Sequence, residues 1–119
     1  MKSKYLALAI VGLGLWSCTD PKDPTIKIVT PANWADVAAG SVVLQVQTTD
    51  FSAGHIHVWL DVPDSNRVDA NTKAQLTYPN LTVTLSIPDT GIHILAVEGA
   101  RADHSDIAGM VDEVQFHVH

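Results

Sequence analysis

From Gly54 to Asp61 apolar and polar side chains alternate without a break. Ile56, Val58 and Leu60 fall on one side of an extended strand, and His55, His57 and Trp59 on the other. The same period of two recurs along the chain. Residues 25–30 set Ile26 and Ile28 against Lys27 and Val29, and residues 41–49 set Val42, Leu44 and Val46 against Val43, Gln45 and Gln47. Residues 81–87 are the most regular, with Leu81, Val83, Leu85 and Ile87 inward and hydroxyls outward. Residues 74–78 read as a short edge strand, 91–97 as a further strand, and 111–119 as the last, with Val114, Phe116 and Val118 inward and Gln115, His117 and His119 outward. The breaks are turn chemistry: Pro31, Pro63-Asp64-Ser65-Asn66, Pro79-Asn80 and Pro88-Asp89-Thr90-Gly91. Residues 33–40 read as a loop or bent edge whose Trp34 covers one end of the core, and residues 67–73 have little period. About seven strands at near-regular spacing, with almost no helical period, predict an all-β sandwich.

The amino terminus follows a different rule. Met1-Lys2-Ser3-Lys4 is a short basic stretch, residues 5–15 are apolar, and Trp16-Ser17-Cys18 follows. That is an export signal, too short and too asymmetric for a stable membrane span. Leu15-Trp16-Ser17-Cys18 resembles the lipobox of bacterial lipoproteins, departing from it at Trp16, where a small or β-branched residue is usual. The resemblance implies cleavage before Cys18, lipidation of Cys18, and a bacterial cell-envelope location with the membrane as a partner through the lipid. The expected organisation is a signal peptide over 1–17, lipidated Cys18 and an extended tether over 18–24, and one domain over 25–119. Cys18 is the one cysteine, so an intrachain disulfide is excluded and the domain relies on its core.

Charge narrows the partners. The whole chain carries −6; without residues 1–17, five basic residues face 13 acidic ones, leaving −8. Nucleic acid is therefore not an expected partner, whereas cations or a basic partner are.

Asp89-x-Gly91-x-His93-x-Leu95 resembles the Asp-x-Gly-x-Tyr-x-Cys corner of immunoglobulin strand F, with His93 in the tyrosine position and Leu95 in place of the cysteine. The resemblance implies an immunoglobulin-like β-sandwich in which His93 bonds back to nearby backbone, a structural role. The stretch from about Gly54 to Val118 also resembles small exported bacterial domains of uncertain function. Their pattern here is Gly54-His55-Ile56-His57, Asp61, Gly91-Ile92-His93-Ile94-Leu95 and Asp103-His104-Ser105. That likeness implies fold and compartment more firmly than chemistry.

In such a sandwich the strand at residues 55–61 begins where the strand at 91–98 ends, so His55 shares one end of the domain with the connection over 99–109. That connection holds Asp103, His104 and Asp106. His55 and His57 stand about 6.5–7 Å apart along a strand, within reach of one ion once other ligands arrive. The expected metal set is His55, His57 and His104, with Asp103 or Asp106 as a fourth ligand or as the acceptor for a ligand's second ring nitrogen. Neutral imidazole suits zinc or copper. A blue-copper centre lacks a second cysteine. His117 and His119 lie at a chain end, where a frayed strand gives no fixed geometry.

Catalysis has little support: Asp103-His104-Ser105 are sequence neighbours without the strand-turn-helix that presents a serine nucleophile, and no glycine loop fits a phosphate. A non-enzymatic binding module is expected. Its alternative to metal binding is a protein or glycan surface made from Trp59, Ile92 and Ile94 on the outer sheet face, unless a loop covers it.

Overall fold

A computed structural model describes residues 23–119. The expected signal peptide over 1–17, lipidated Cys18 and the tether up to residue 22 lie outside the described residues. Among the described residues eight strands follow one another: β1 (Thr25–Thr30), β2 (Asp36–Val37), β3 (Gly40–Thr49), β4 (His55–Leu60), β5 (Ala74–Thr77), β6 (Thr82–Ile87), β7 (Gly91–Ala100) and β8 (Asp106–Val118). Three of them form a sheet in the order β1-β3-β6, and five form the facing sheet in the order β2-β8-β7-β4-β5. The fold is a β-sandwich, as the alternation predicts, and of the immunoglobulin-like kind that the resemblance at residues 89–95 implies. Ile26, Ile28, Val42, Leu44, Val46, Leu85 and Ile87 from the smaller sheet meet Ile56, Val58, Leu95, Val97, Phe116 and Val118 from the larger one in a single apolar core.

Two stretches depart from expectation. The segment over 33–40 contains a short strand, β2, which runs parallel to β8 with Asp36 opposite His117 and Val37 opposite Val118. The connection expected over 99–109 is only five residues long, because β7 continues to Ala100 and β8 starts at Asp106, which pairs with it. A register shift between Glu98 and Ala100 makes room for this. At that shift Gly99 lies against the Met110 side chain, which fills the space where a Cβ would stand.

The outer face of the larger sheet is organised in rows. His55 lies across from Thr77 and Ala100, His57 from Gln75 and Glu98, and Trp59 from Ala96. Further along, Ile94 faces Gln115 and Ile92 faces His117. Ile92 and Ile94 are therefore not neighbours of His57. Leu60 lies opposite Leu95, so the two isoleucines belong to the far end of the sheet.

At that far end His93 locks two turns together. Its Nδ1 meets Asp61 Oδ2 at 2.6 Å and its Nε2 meets the Asp89 carbonyl oxygen at 2.7 Å. The other Asp61 oxygen, Oδ1, accepts the Ile94 backbone N–H at 2.9 Å. A carboxylate and a carbonyl both only accept, so His93 donates from both nitrogens and is held as an imidazolium. Burial pulls its pKa down, but the bonds to Asp61 and Asp89 more than offset this and leave it above the ordinary 6.5. The folded state thus binds the extra proton. This contribution is complete below pH 6.5 and is lost as pH rises through the raised folded value. Unfolding free energy is expected to fall over that window in the wild type, and His93→Phe is expected to flatten the decline. Denaturant titrations between pH 6 and 9, with a ring NMR titration of His93, check it; an NMR midpoint at or below 6.5 would refute the assignment.

Candidate metal centre

Three imidazoles converge at the opposite end of the same sheet. His55 and His57 project from β4 and are buried, 6% and 1% exposed, whereas His104 reaches over them from the five-residue turn. That turn is closed by the Arg101 N–H donating to the Ser105 carbonyl and the His104 N–H donating to the Arg101 carbonyl, both at 2.9 Å. His104 takes a left-handed backbone, φ 69°, which histidine tolerates better than most residues and which swings its ring back over β4.

The atoms meet at useful separations. His104 Nδ1 is 3.0 Å from His55 Nε2 and 3.5 Å from His57 Nε2. Two nitrogens on a tetrahedral zinc, with Zn–N bonds of about 2.0–2.1 Å, stand about 3.3–3.4 Å apart. The observed pair of distances brackets that value. One ligand atom from each of the three residues lies within 4.8 Å of the others, so this trio could hold a metal ion.

Electrostatics favours the ligand form. Burial, followed by the neighbouring His57 and His104, pushes the His55 pKa below its ordinary 6.5, so the ring is neutral at physiological pH. The ring centroids lie 4.4 Å (His55–His104) and 4.8 Å (His55–His57) apart.

The carboxylate at this site is Asp69, which sequence reading missed. Its Oδ1 lies 3.4 Å from His57 Nδ1 and its Oδ2 lies 3.6 Å from His104 Nδ1. His57 therefore presents Nε2 to the trio and Nδ1 to a carboxylate, the arrangement that orients imidazole ligands in zinc proteins. Asp103 does not fill this place. Its Oδ1 accepts the Ser105 N–H at 3.0 Å and the Ser105 hydroxyl at 2.6 Å, bonds that hold its carboxyl below the usual range and spend it on shaping the turn. Asp106 opens β8 and lines a separate cavity of about 150 Å³ with Glu98, Arg67 and Trp59. Both are corrections to the expected set, and both have the same cause: the shortened turn points only His104 back across β4.

Asp69 reaches the site because of Trp59. The connection from β4 to β5 crosses the outer sheet face as two single 3₁₀ turns, Asp64–Asn66 and Asp69–Asn71. The indole Nε1–H donates to both the Val68 carbonyl and Asn71 Oδ1, each at 2.9 Å. Asn71 Oδ1 also accepts the Val68 N–H at 3.0 Å, and its Nδ2 donates to the Asn66 carbonyl at 2.9 Å. Trp59 is 3% exposed under this strap. The expected exposed surface of Trp59, Ile92 and Ile94 is thereby corrected: Trp59 is covered, Ile94 is half-buried beside Asp61, and Ile92 alone is open at 54%. A signal for Asp69 does exist in the sequence. It is the Asp-x-Asn turn pattern of Asp69-Ala70-Asn71, but its placement depends on bonds from an indole nine and twelve residues away from their acceptors.

No protein-family model matches this chain, and no curated protein matches it. Solved structures do. A crystal structure of an engineered protein is similar to 90% of this chain with a TM-score of 0.57 and 13% identity, and the chain spans 21% of that protein's length. The fibronectin(III)-like modules of Clostridium thermocellum CbhA are similar over 79% of this chain and 96% of their own, with a TM-score of 0.58 and 14% identity. At such identities the likeness is one of fold alone, and it agrees with the immunoglobulin-like β-sandwich described above.

Proposed function

We propose that this protein is a bacterial cell-envelope lipoprotein, anchored through Cys18, whose β-sandwich is a non-enzymatic module that binds zinc or copper through His55, His57 and His104. The observation that carries the metal reading is the convergence of the three imidazoles, with His104 Nδ1 3.0 Å from His55 Nε2 and 3.5 Å from His57 Nε2, and with Asp69 behind His57. Three imidazole nitrogens in a half-enclosed site favour a borderline transition metal over calcium or magnesium, which take oxygen ligands. The anchor is supported by Leu15-Trp16-Ser17-Cys18 after a basic and then apolar stretch. Exchange of Cys18 for serine would release the protein from membranes on that reading.

Isothermal titration of zinc and copper(II) into untagged protein tests the site. The expected result is micromolar or tighter binding of a first equivalent that weakens at least about a hundredfold in His104→Ala. His104 is suited to this test because its side chain is 50% exposed and its loss leaves the core intact. Asp69→Asn is expected to weaken the same step by about tenfold, by loosening His57 without removing a ligand. An affinity unchanged in His104→Ala would end the proposal.

A further inference from the structure

A second group of ligands sits at the far end of the same sheet, and it is not the frayed terminus that sequence suggests. The end of β8 is clamped by β2. The His117 N–H donates to the Ala35 carbonyl at 2.8 Å, the His119 N–H to the Val37 carbonyl at 2.9 Å, and the Ala39 N–H to the His119 carbonyl at 2.8 Å. Phe116 and Val118, between and beside the two histidines, are fully buried, so the alternation is fixed and both imidazoles face outward. Parallel pairing then puts Asp36 opposite His117.

From these elements we infer a second divalent transition-metal site formed by Asp36, His117 and His119. His117 Nδ1 lies 2.7 Å and His119 Nδ1 3.0 Å from the same oxygen, Asp36 Oδ1. One ligand atom of each residue lies within 4.8 Å of the others. Two imidazoles from one strand and a carboxylate from its neighbour thus point at one spot, held by backbone bonds on both sides. The ring protons that now reach Asp36 sit on Nδ1. A metal ion bound there would take the Nδ1 lone pairs, with the ring protons carried on Nε2. Two nitrogens and one oxygen select zinc or copper(II) over calcium or magnesium.

The site differs from the tri-histidine centre in what it leaves open. Its three side chains are about half or more exposed, at 67% for Asp36, 47% for His117 and 59% for His119. An ion here keeps several positions for water or for a donor from another molecule, and it exchanges faster than one under His104. The two sites lie at opposite ends of one sheet, because His55 pairs with Ala100 at one end of β7 and Ile92 pairs with His117 at the other. They therefore bind independently.

The test is zinc titration of the untagged full chain, followed by calorimetry and by the NMR signals of the individual histidine rings. The wild type is expected to take two equivalents, the weaker one shifting His117 and His119. His117→Ala/His119→Ala is expected to lose the weaker equivalent and keep the first, whereas His104→Ala is expected to lose the tighter one and keep the second. Equal unfolding midpoints for the wild type and His117→Ala/His119→Ala establish that the fold is retained, as both side chains are exposed. Ring signals of His117 and His119 that stay unmoved at millimolar zinc would overturn the site, as would two equivalents persisting in the double variant. Because the variants are separate, either site can fail alone.

Discussion

Zinc at about a hundred times its dissociation constant is expected to raise the melting temperature of this domain by about 10–20 °C. A ligand that binds only the folded state at that excess adds about 2.7 kcal/mol, and a domain of this size gains about 4–8 °C per kcal/mol. The tri-histidine site exists only when β4 and the turn at 101–105 are assembled, since His55 and His104 lie 49 positions apart in the chain. The unfolded chain holds no equivalent. His104→Ala is expected to abolish most of the shift while leaving the metal-free melting temperature within a few degrees. The shift is also expected to disappear as pH falls below about 6, because protons compete for the same imidazole nitrogens. Differential scanning calorimetry with zinc and with a chelator makes the measurement. A shift that survives His104→Ala at full size would place the binding elsewhere.

Gly54→Ala is expected to be the most damaging single-methyl change near the site, costing about 3–5 kcal/mol of stability. Gly54 stands immediately before His55 with φ +109°, a backbone that L side chains rarely adopt. A Cβ there would overlap the Ala100 backbone carbonyl oxygen and approach Phe51 Cζ at 3.3 Å. Ala100 is both the pairing partner of His55 and the last residue before the turn that carries His104. Relief of the overlap therefore moves two of the three ligands apart, and zinc affinity is expected to fall with stability. Gly91→Ala separates the two contributions: Gly91 has φ +117° but nothing within 4 Å of a Cβ, so it costs the backbone part alone, about 1–3 kcal/mol. Unfolding midpoints in denaturant for both variants, with zinc titrations of each, give the comparison. Equal costs for the two, or zinc affinity retained in Gly54→Ala, would contradict this account.

Both predictions rest on a division of labour between the faces of one sheet. The inward face of β4, with Ile56 and Val58 fully buried, belongs to the core and sets the strand's position. Its outward face would be solvated in a simple sandwich. Here the connection from β4 to β5 crosses it instead, pinned by the Trp59 indole, and so buries His57 and delivers Asp69. Burial of an imidazole on an outer face costs desolvation, and neutral rings gathered around one point recover it when they share protons or an ion. The far end of the sheet uses no strap. There β2 supplies backbone bonds to His117 and His119, and the side chains stay open to solvent.

The alternation of apolar positions by itself determined every described strand except β2, and which side of each faces inward, because a period of two leaves each strand one way to bury its apolar set. It therefore determined that His55, His57 and Trp59 share a face, as do His117 and His119. The resemblance of residues 89–95 to the immunoglobulin corner implied a structural role for His93. Tertiary structure decided everything that depends on one element meeting another. The register shift at Gly99 shortened the turn and left His104, not Asp103 or Asp106, over β4. The two 3₁₀ turns carried Asp69 to His57 although nothing periodic marks residues 67–73. The parallel pairing of β2 with β8 made a site from Asp36 and a chain end. Local pattern reports burial through steric period alone, whereas these three placements depend on hydrogen bonds between residues distant in the chain, and no local period encodes such bonds.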